Sequence, residues 1–453
     1  MTWTPHLPET EEPIYERLVR AMASDIAAGV LAPGERLPPQ RELAWRLGLG
    51  VGTVTKAYAE AERRGLLSGH VGRGSFVASV RPDDRTGAID MARNLPPSGP
   101  AQQRLASAMA RLTRDGGLAD RLAYPPIGGH GADRAAGAAW LSHIAGWDDL
   151  DPARLICTAG AQQAVAVALA TACRPGDAVV AEAATFSGLK ALAGVMGYGL
   201  APAAIDDQGL TPQTLDRAAA KTGARVAYIL PSHNPTPRVM GEPRRRDIVE
   251  VARKRDLILI EDDLYGAYAM DLGLTPLARL APERVFHATS LSKTIAPGLR
   301  AGYLIPPAGG AHGRALGALH ALAIGAPGMG LALATRWIED GSAANILAEG
   351  RAEMAVRNEL AMLILGEAME RPPVPGLHAW LPMSEIAAER AAARALRAGV
   401  EVTPPGDMIL DAAAISGLRL CLGPARDRRV LERGLRAVKA ILDDPAAARR
   451  DIV

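Results

Sequence analysis

The residues best suited to chemistry lie in one short stretch, Ser290-Leu291-Ser292-Lys293, and Arg300 follows seven residues after the lysine. A lysine amine can form a Schiff base with the aldehyde of pyridoxal phosphate. The Ser290 hydroxyl and the Arg300 guanidinium could neutralise the phosphate of the same cofactor. This stretch therefore predicts a pyridoxal phosphate site that holds its cofactor through Lys293.

A turn from strand to helix offers a second phosphate contact. Thr158 ends an apolar run, and the residues up to Gln162 begin a helical stretch. N–H groups at the start of a helix have no partners within it and lie at the positive end of the helix dipole, so they bind anions. The backbone amides of Gly160, Ala161 and Gln162 are predicted to face the phosphate, although many strand-to-helix turns share this pattern.

The elements that must position these residues are short apolar runs separated by helical stretches. Each run is continuous rather than alternating, which is typical of strands buried on both faces of a largely parallel sheet. The predicted strands are Leu155–Cys157, Ala178–Val180, Val226–Leu230, Leu257–Ile260, Val285–Phe286 and Gly302–Ile305.

The first 80 residues predict a separate unit, the head. A first helix precedes a second at about residues 39–47 and a third between Gly50 and Gly65, and the glycine-rich residues 68–80 predict a small β-hairpin, or wing. Helix, short turn, exposed helix and hairpin is the winged helix-turn-helix order. The apolar positions that define the first and third helices are Ile14, Leu18, Met22, Ile26, Val54, Ala57, Tyr58 and Ala61.

Positive charge is concentrated in this head. Residues 36–81 hold eight Arg or Lys against three Glu, a net +5, whereas the whole chain carries only +2. A local excess of positive charge on a helical unit predicts contact with a nucleic acid.

Five short stretches of the head carry a recognisable pattern: Leu37–Ala44, Leu47–Leu49, Thr53–Tyr58, Gly65–Leu67 and Gly72–Val77. Through these stretches the head resembles the GntR family of bacterial regulators over its whole length. The resemblance implies that the partner is double-stranded operator DNA, and that the protein contacts both its base edges and its phosphates. The residues expected at bases, phosphates or the minor groove are Arg36, Arg41, Thr53, Thr55, Lys56, Arg73 and Gly74.

One arginine contact that is common in the family is missing here. The family often has Ser-Arg at the start of the third helix, where this chain has Gly50-Val51. Sequence specificity is therefore expected to move to Lys56, Arg36 or Arg41.

Residues from about 90 to 450 resemble fold-type I aminotransferases, and together with the head they resemble the MocR subgroup of the GntR family. The resemblance implies an α+β winged helix-turn-helix followed by an α/β pyridoxal phosphate-dependent transferase with a mostly parallel sheet and a smaller α+β subdomain. The expected limits are 1–80 for the head, 81–90 for a linker, 91–453 for the transferase, about 125–335 for its large part, and 91–124 with 336–453 for its small subdomain.

The resemblance assigns several residues to the cofactor ring. Phe186 would stack on the ring, and Asn234 and Tyr265 would bond its phenolic oxygen. Asp262 would keep the ring nitrogen protonated, which makes the cofactor an electron sink. Asp263 is the alternative carboxylate, but the three-residue step to Tyr265 favours Asp262.

Simpler interpretations of two of these residues stay open. Phe186 would serve equally well in a hydrophobic core, and Asn234-Pro235 would form an ordinary turn. At this place Thr236-Pro237 stands where the family has Thr-Gly, a small departure from the family pattern.

Further residues are assigned to the phosphate and the substrate by the same resemblance. Arg419 matches the arginine that clamps a substrate α-carboxylate bidentately, with an ordinary surface arginine as the alternative. Tyr124 resembles a tyrosine that reaches the phosphate of the neighbouring subunit, which implies a homodimer. Ser292 joins Ser290 beside the cofactor, and the stretch 94–97 would border the substrate pocket.

Several classes of protein are disfavoured by the sequence. Cys157, Cys173 and Cys421 lie far apart without metal-ligand spacing, so no metal site is predicted and the thiols are expected to be reduced. The N-terminus has no signal-peptide pattern, and no apolar run reaches the roughly 18 residues of a membrane span. We therefore expect a cytoplasmic protein that does not enter a membrane.

Three functions fit these observations to different degrees. The first is a transcriptional regulator whose second domain binds pyridoxal phosphate and senses that cofactor or an amino compound. The second is an active aminotransferase with an appended DNA-binding head. The third, an inert dimerisation scaffold, is disfavoured because a scaffold needs none of Lys293, Asp262, Asn234 and Arg300.

Overall fold

The computed structural model describes residues 3–7, 12–27, 30–31, 35–63, 66–70, 74–77, 88–114 and 119–444. The chain divides into two units, Met1–Gly87 and Ala88–Val453. Within the described ranges, no helix is long and apolar enough to cross a membrane. In the same ranges, no group of three or more His, Cys, Asp or Glu side chains could hold a metal ion. The three cysteines are buried and unpaired.

The first unit has the winged helix-turn-helix order that the sequence predicts. Its elements are α1 (Ile14–Ala27), α2 (Gln40–Leu47), α3 (Val51–Arg63), β1 (Leu67–His70) and β2 (Gly74–Val77). The two strands pair antiparallel. Residues 35–37 extend this small sheet, because the Leu37 N–H donates to the Ser75 carbonyl and the Val77 N–H donates to the Glu35 carbonyl.

Most of the apolar residues that the sequence places at helical spacing form the core of this unit. The four inward residues predicted on α3 are all buried, together with Leu18 and Met22 on α1. Ile26 is half-buried, and Ile14, the first residue of α1, is 42% exposed, so the apolar face of α1 is shorter than predicted. The opposite face of α3 leaves Thr55 and Lys56 exposed.

The second unit alternates strands and helices. Its strands are β3 (Ile89–Asp90), β4 (Ile156–Thr158), β5 (Ala178–Glu182), β6 (Gly199–Ala203), β7 (Ile205–Asp206), β8 (Gly209–Leu210), β9 (Val226–Ile229), β10 (Ile258–Asp262), β11 (Val285–Ser290), β12 (Gly302–Ile305), β13 (His378–Pro382), β14 (Val400–Glu401) and β15 (Gly417–Cys421). Its helices are α4 (Gly99–Arg114), α5 (Gly131–Ala145), α6 (Ala161–Ala172), α7 (Ser187–Met196), α8 (Pro212–Thr222), α9 (Glu242–Arg255), α10 (Leu277–Leu280), α11 (Ala311–Ala323), α12 (Gly328–Glu339), α13 (Ser342–Leu365), α14 (Glu385–Arg397) and α15 (Arg428–Asp443).

A seven-stranded sheet lies at the centre of the second unit, in the order β4-β12-β11-β10-β9-β5-β6. Strand β12 runs antiparallel to both of its neighbours, and the other pairs are parallel. The six predicted strands all lie in this sheet. The sequence does not predict β6, because Gly199 and Pro202 interrupt its apolar character; an edge strand tolerates both residue types.

Two hydrophobic cores share one long helix, α13. Its first half places Ile346 and Leu347 in the core of the large sheet. Its second half places Met354 and Ala361 in a second core, built around the antiparallel pair β13 and β15. Gly350 lies between these two halves.

The expected domain limits differ from these cores in two places. Ile89 and Asp90, expected in the linker, form β3 and pair parallel with Val400–Glu401, while 81–87 lie outside the described residues. Helix α4, expected in the small subdomain, places Ala101 and Ala108 in the core of the large sheet. Amphipathic spacing shows that a helix has a buried face but does not say which core the face meets.

We expect the close contact between α5 and β12 to make Gly137→Ala destabilising. A Cβ at Gly137 would lie 2.6 Å from a ring carbon of Tyr303, and overpacking of this kind costs about 1–3 kcal/mol. The matched control is Gly317→Ala on α11, where a Cβ would meet nothing within 4 Å and should stabilise the helix by about 1 kcal/mol. Thermal unfolding followed by circular dichroism compares the two variants. Equal melting temperatures would contradict the packing described.

Candidate cofactor site and nucleic-acid interface

The predicted cofactor residues gather at one edge of the large sheet. Asp262 is the last residue of β10, and Lys293 follows the end of the neighbouring strand β11. Asn234 follows β9, Phe186 follows β5, and Gly160 follows β4. The carboxyl ends of parallel strands meet at one edge of a sheet, which is where open α/β folds bind ligands.

Lys293 is half-buried beside this edge. Its Nζ donates a hydrogen bond to the backbone carbonyl of Asn94 at 2.5 Å. Burial lowers the pKa of the Lys293 amine to about 8, because the charged form loses hydration. At pH 7 a pKa of about 8 leaves roughly a tenth of this amine in the unprotonated, nucleophilic form, far more than for an ordinary lysine.

Asp262 is 2% exposed and keeps one oxygen without a partner. Its Oδ2 accepts a hydrogen bond of 2.5 Å from the hydroxyl of Tyr228, while its Oδ1 is buried and unpaired. Burial raises the pKa of Asp262 to about 7. A buried carboxylate oxygen without a partner fits a protonated ring nitrogen, so this carboxylate fits pyridoxal phosphate.

The electrostatic surroundings of Asp262 differ from those of the alternative carboxylate, Asp263. The positive charge of Lys293 is among the groups that lower the pKa of Asp262, whereas the charged groups that act most on Asp263 are His287, Glu261 and Arg245. This difference favours Asp262 as the partner of a cofactor held by Lys293.

A candidate phosphate cradle lies where α6 begins. Gly160 has φ 83°, and a Cβ there would lie 3.0 Å from Nη2 of Arg300. Nη2 of Arg300 donates to the carbonyl of Ala159 at 2.5 Å, so the guanidinium stands over the first turn that contains Ala161 and Gln162. Helix amides beside an arginine suit a phosphate.

The two predicted serines and the predicted aromatic residue are withdrawn from solvent to different degrees. Ser290 and Ser292 are buried, and the Ser290 hydroxyl accepts a hydrogen bond from the Ser292 N–H at 3.3 Å. Phe186 is half-buried at the start of α7 and packs partly against the core of the sheet. A Cβ at Gly188 would meet both Phe186 and Gln162, so this glycine permits their close approach.

Arg419 is not the surface arginine of the alternative interpretation, because it is 7% exposed. Its Nη1 donates to Oδ1 of Asn234 at 2.9 Å. Its Nη2 donates to the carbonyl of Ala92 at 3.0 Å and to the hydroxyl of Thr403 at 2.7 Å. Asn234 therefore has a side-chain contact beyond that of a plain turn residue.

Two residues of this region, Tyr228 and His378, were not singled out from the sequence. Tyr228 holds Asp262, and His378 lies 3.0 Å from the amide nitrogen of Asn94, which also donates to the Tyr265 hydroxyl at 3.0 Å. The sequence offers only a weak signal for a role in the site, because a Tyr or His inside an apolar strand is typical of a hydrophobic core. Tyr124, in contrast, is 83% exposed and stands apart from the buried residues.

The head presents most of its predicted DNA contacts at the surface. Arg36, Arg41, Thr55 and Lys56 are exposed and Thr53 is half-buried. Lys56 Nζ lies 3.9 Å above the ring of Tyr15 in a cation–π contact. Gly74 begins β2, and Arg73 lies outside the described residues.

One further residue of the head joins this surface. The Thr55 hydroxyl donates to Oε1 of Gln40 at 2.8 Å. Because the side-chain oxygen of Gln40 accepts this hydrogen bond, the side-chain NH₂ group of Gln40 points away from Thr55. Side-chain amides of this kind can bind base edges in DNA.

Both units match known families. Residues 86–438 match the family "Aminotransferase class I and II", and residues 14–77 match "Bacterial regulatory proteins, gntR family". Similar proteins include the uncharacterized HTH-type transcriptional regulator YdeF of Bacillus subtilis, 33% identical over 68% of each chain. The HTH-type pyridoxine biosynthesis transcriptional regulator PdxR of Corynebacterium glutamicum is 28% identical over 67% of each chain.

The similarity extends to free-standing enzymes and to solved structures. The 2-aminoadipate transaminase of Thermus thermophilus is 26% identical over 85% of this chain and 99% of its own. The structure of α-aminoadipate aminotransferase LysN from Thermus thermophilus aligns with a TM-score of 0.69 at 23% identity, over 82% of this chain and 96% of that chain. This likeness supports the fold of the second unit.

We expect the lowered pKa of Lys293 to be measurable as chemical reactivity. Only the neutral amine reacts, so labelling of cofactor-free protein by an amine-directed reagent should rise with pH around a midpoint near 8. In denaturant, the midpoint for the same lysine should return to about 10.4. Mass spectrometry of the peptide that contains Lys293 measures both. Identical midpoints in the folded and unfolded protein would contradict the buried environment.

Proposed function

The chain belongs to the MocR subgroup of the GntR family, in which a helix-turn-helix head is joined to an aminotransferase class I and II domain, and we propose that its second unit binds pyridoxal phosphate through Lys293 and senses that cofactor or an amino compound. Occupation of the sensing site would then change the affinity of the head for operator DNA. Coupling of this kind requires only that the ligand binds two states of the protein unequally.

The observation that carries this proposal is a pair of hydrogen bonds to the segment 92–94. The carbonyl of Ala92 accepts from Arg419, and the carbonyl of Asn94 accepts from Lys293. This segment follows β3, the first strand after the connection to the head. A ligand carboxylate at Arg419, or a cofactor at Lys293, would compete for the donors that hold these carbonyls.

The residues of the site suit the cofactor. When bound, pyridoxal phosphate supplies an aldehyde for an amine and an electron sink for the bond that is broken. Arg300 and the amides of Ala161 and Gln162 would hold the phosphate, Asp262 Oδ1 would hold the proton of the ring nitrogen, and Tyr265 would face the phenolic oxygen.

The head would bind double-stranded DNA through its exposed basic face. A homodimer with two heads would suit two operator half-sites, and the exposed Tyr124 would then reach the phosphate of the neighbouring subunit. Operator binding would place the protein on cytoplasmic, nucleoid DNA.

An active aminotransferase is the second candidate function. It is favoured by the lowered pKa of Lys293, because an amine that is partly neutral near pH 8 could move a proton through Nζ during transamination. The inert scaffold is disfavoured, because burying Asp262 with one unpaired oxygen destabilises the fold, and a scaffold without a ligand would gain nothing in return.

The test of the regulator is binding to DNA upstream of the protein's own gene, measured at one stated salt concentration with and without pyridoxal phosphate and amino acids. We expect specific binding whose affinity changes with these compounds, by 5-fold or more if the coupling is about 1 kcal/mol. Lys293→Ala should lose both that change and the visible absorption of bound cofactor. Absence of specific binding under every condition would favour the aminotransferase, for which half-transamination is the assay.

The DNA face is tested by Arg41→Ala and Lys56→Ala. If these side chains bind phosphates, each variant should bind all sequences more weakly, and the slope of log affinity against log salt should fall by about 0.9 for each phosphate that is no longer neutralised. Arg46→Ala on α2 is the matched control, because Arg46 is paired with Glu42. Fluorescence anisotropy across a salt series gives the slopes. Unchanged slopes for both test variants would place the DNA face elsewhere.

A further inference from the structure

Behind Tyr265 lies a buried chain of hydrogen bonds formed by Asn94 and His378. Both side chains are less than a tenth exposed, and they are 284 positions apart in the sequence. The ring of His378 also packs edge-on against the ring of Tyr265, with centroids 5.6 Å apart. Any role for this chain in cofactor binding rests on the proposed function, since it concerns how Tyr265 meets the cofactor.

The protonation of His378 follows from its surroundings. Burial lowers the pKa of this imidazole to about 3, and the nearby Arg419 and Lys293 act in the same direction. The ring is therefore neutral and carries one hydrogen. Its Nε2 lies 3.2 Å from the carbonyl of Thr236, which can only accept, so the hydrogen is on Nε2 and Nδ1 is an acceptor.

The neutral ring in turn orients the amide of Asn94. Nδ2 of Asn94 lies 3.0 Å from His378 Nδ1, an acceptor, and 3.0 Å from the Tyr265 hydroxyl. The opposite orientation would put the carbonyl oxygen of the amide against the Nδ1 lone pair. Both hydrogens of Nδ2 are thus used, one by His378 and one by Tyr265.

We propose that Asn94 and His378 are positioning residues that direct the hydroxyl hydrogen of Tyr265 toward the cofactor. Because the Tyr265 oxygen accepts from Asn94, the hydrogen of its own O–H points away from the amide, to the side where a phenolic oxygen would receive it. Asn94 also holds Lys293 through its backbone carbonyl. One residue therefore orients two groups that meet the cofactor.

A hydrogen bond donated to the phenolic oxygen stabilises its ionised form and lowers the midpoint pH at which the visible band of the bound cofactor titrates. Asn94→Asp replaces the donor by an acceptor, which would take the Tyr265 hydrogen for itself. We expect this variant to raise the midpoint by about one pH unit and to weaken cofactor binding several-fold. Asn94→Ala should shift the midpoint in the same direction by less, since the hydroxyl then rotates freely.

The matched control is Asn358→Asp, which makes the same substitution at a buried asparagine whose Nδ2 donates to the carbonyls of Met354 and Gly376. It should lower the melting temperature without moving the cofactor midpoint. A purely structural Asn94 would behave like this control.

Charged neighbours such as Asp262 and Arg419 also act on Tyr265, so the charge added by Asn94→Asp could itself move the midpoint. A double variant separates this effect of charge from the effect of hydrogen-bond direction. In a Tyr265→Phe background, Asn94→Asp should produce little further shift, because the hydrogen it diverts is gone. An undiminished shift in that background, or no shift in the wild-type background, would overturn the inference. Failure of the wild-type protein to bind pyridoxal phosphate would instead overturn the proposed function.

Discussion

The burial of an amine and a carboxylate at one edge of the central sheet is the constraint on which the candidate site depends. Loss of hydration lowers the pKa of Lys293 to about 8 and raises that of Asp262 to about 7. Two groups that are fully charged in water thus come close to changing charge near neutral pH. Neighbouring hydrogen bonds then decide their state, which gives the Tyr228 hydroxyl and the Asn94 carbonyl more influence than they would have at a surface.

The sequence was a good guide to residues at the ends of buried strands. Lys293, Asp262 and Asn234 each follow an apolar run, and parallel strands bring such positions to one edge. Tyr228 and His378 could not be predicted in the same way. Their partners lie 34 and 284 positions away, and nothing local distinguishes them from core residues.

The fold itself was predictable to a similar degree and for similar reasons. Helical periodicity defined the helices of the head and continuous apolar runs defined six strands, because both signals lie within a few residues. The edge strand β6 was not predicted, and neither was the core against which α4 packs, because each depends on a neighbour distant in the chain. The wing tip at Arg73 remains a prediction, since it lies outside the described residues.

Helix α13 has a mechanical consequence. Its 24 residues form a rod about 36 Å long, clamped in one core near Leu347 and in the other near Met354. Because α13 packs in both cores, a rotation of one core against the other would require this helix to bend. Gly350, between the clamps, is where flexing costs least, since glycine lowers helix stability by about 1 kcal/mol relative to alanine. Any bending of α13 between the two cores is therefore expected at Gly350.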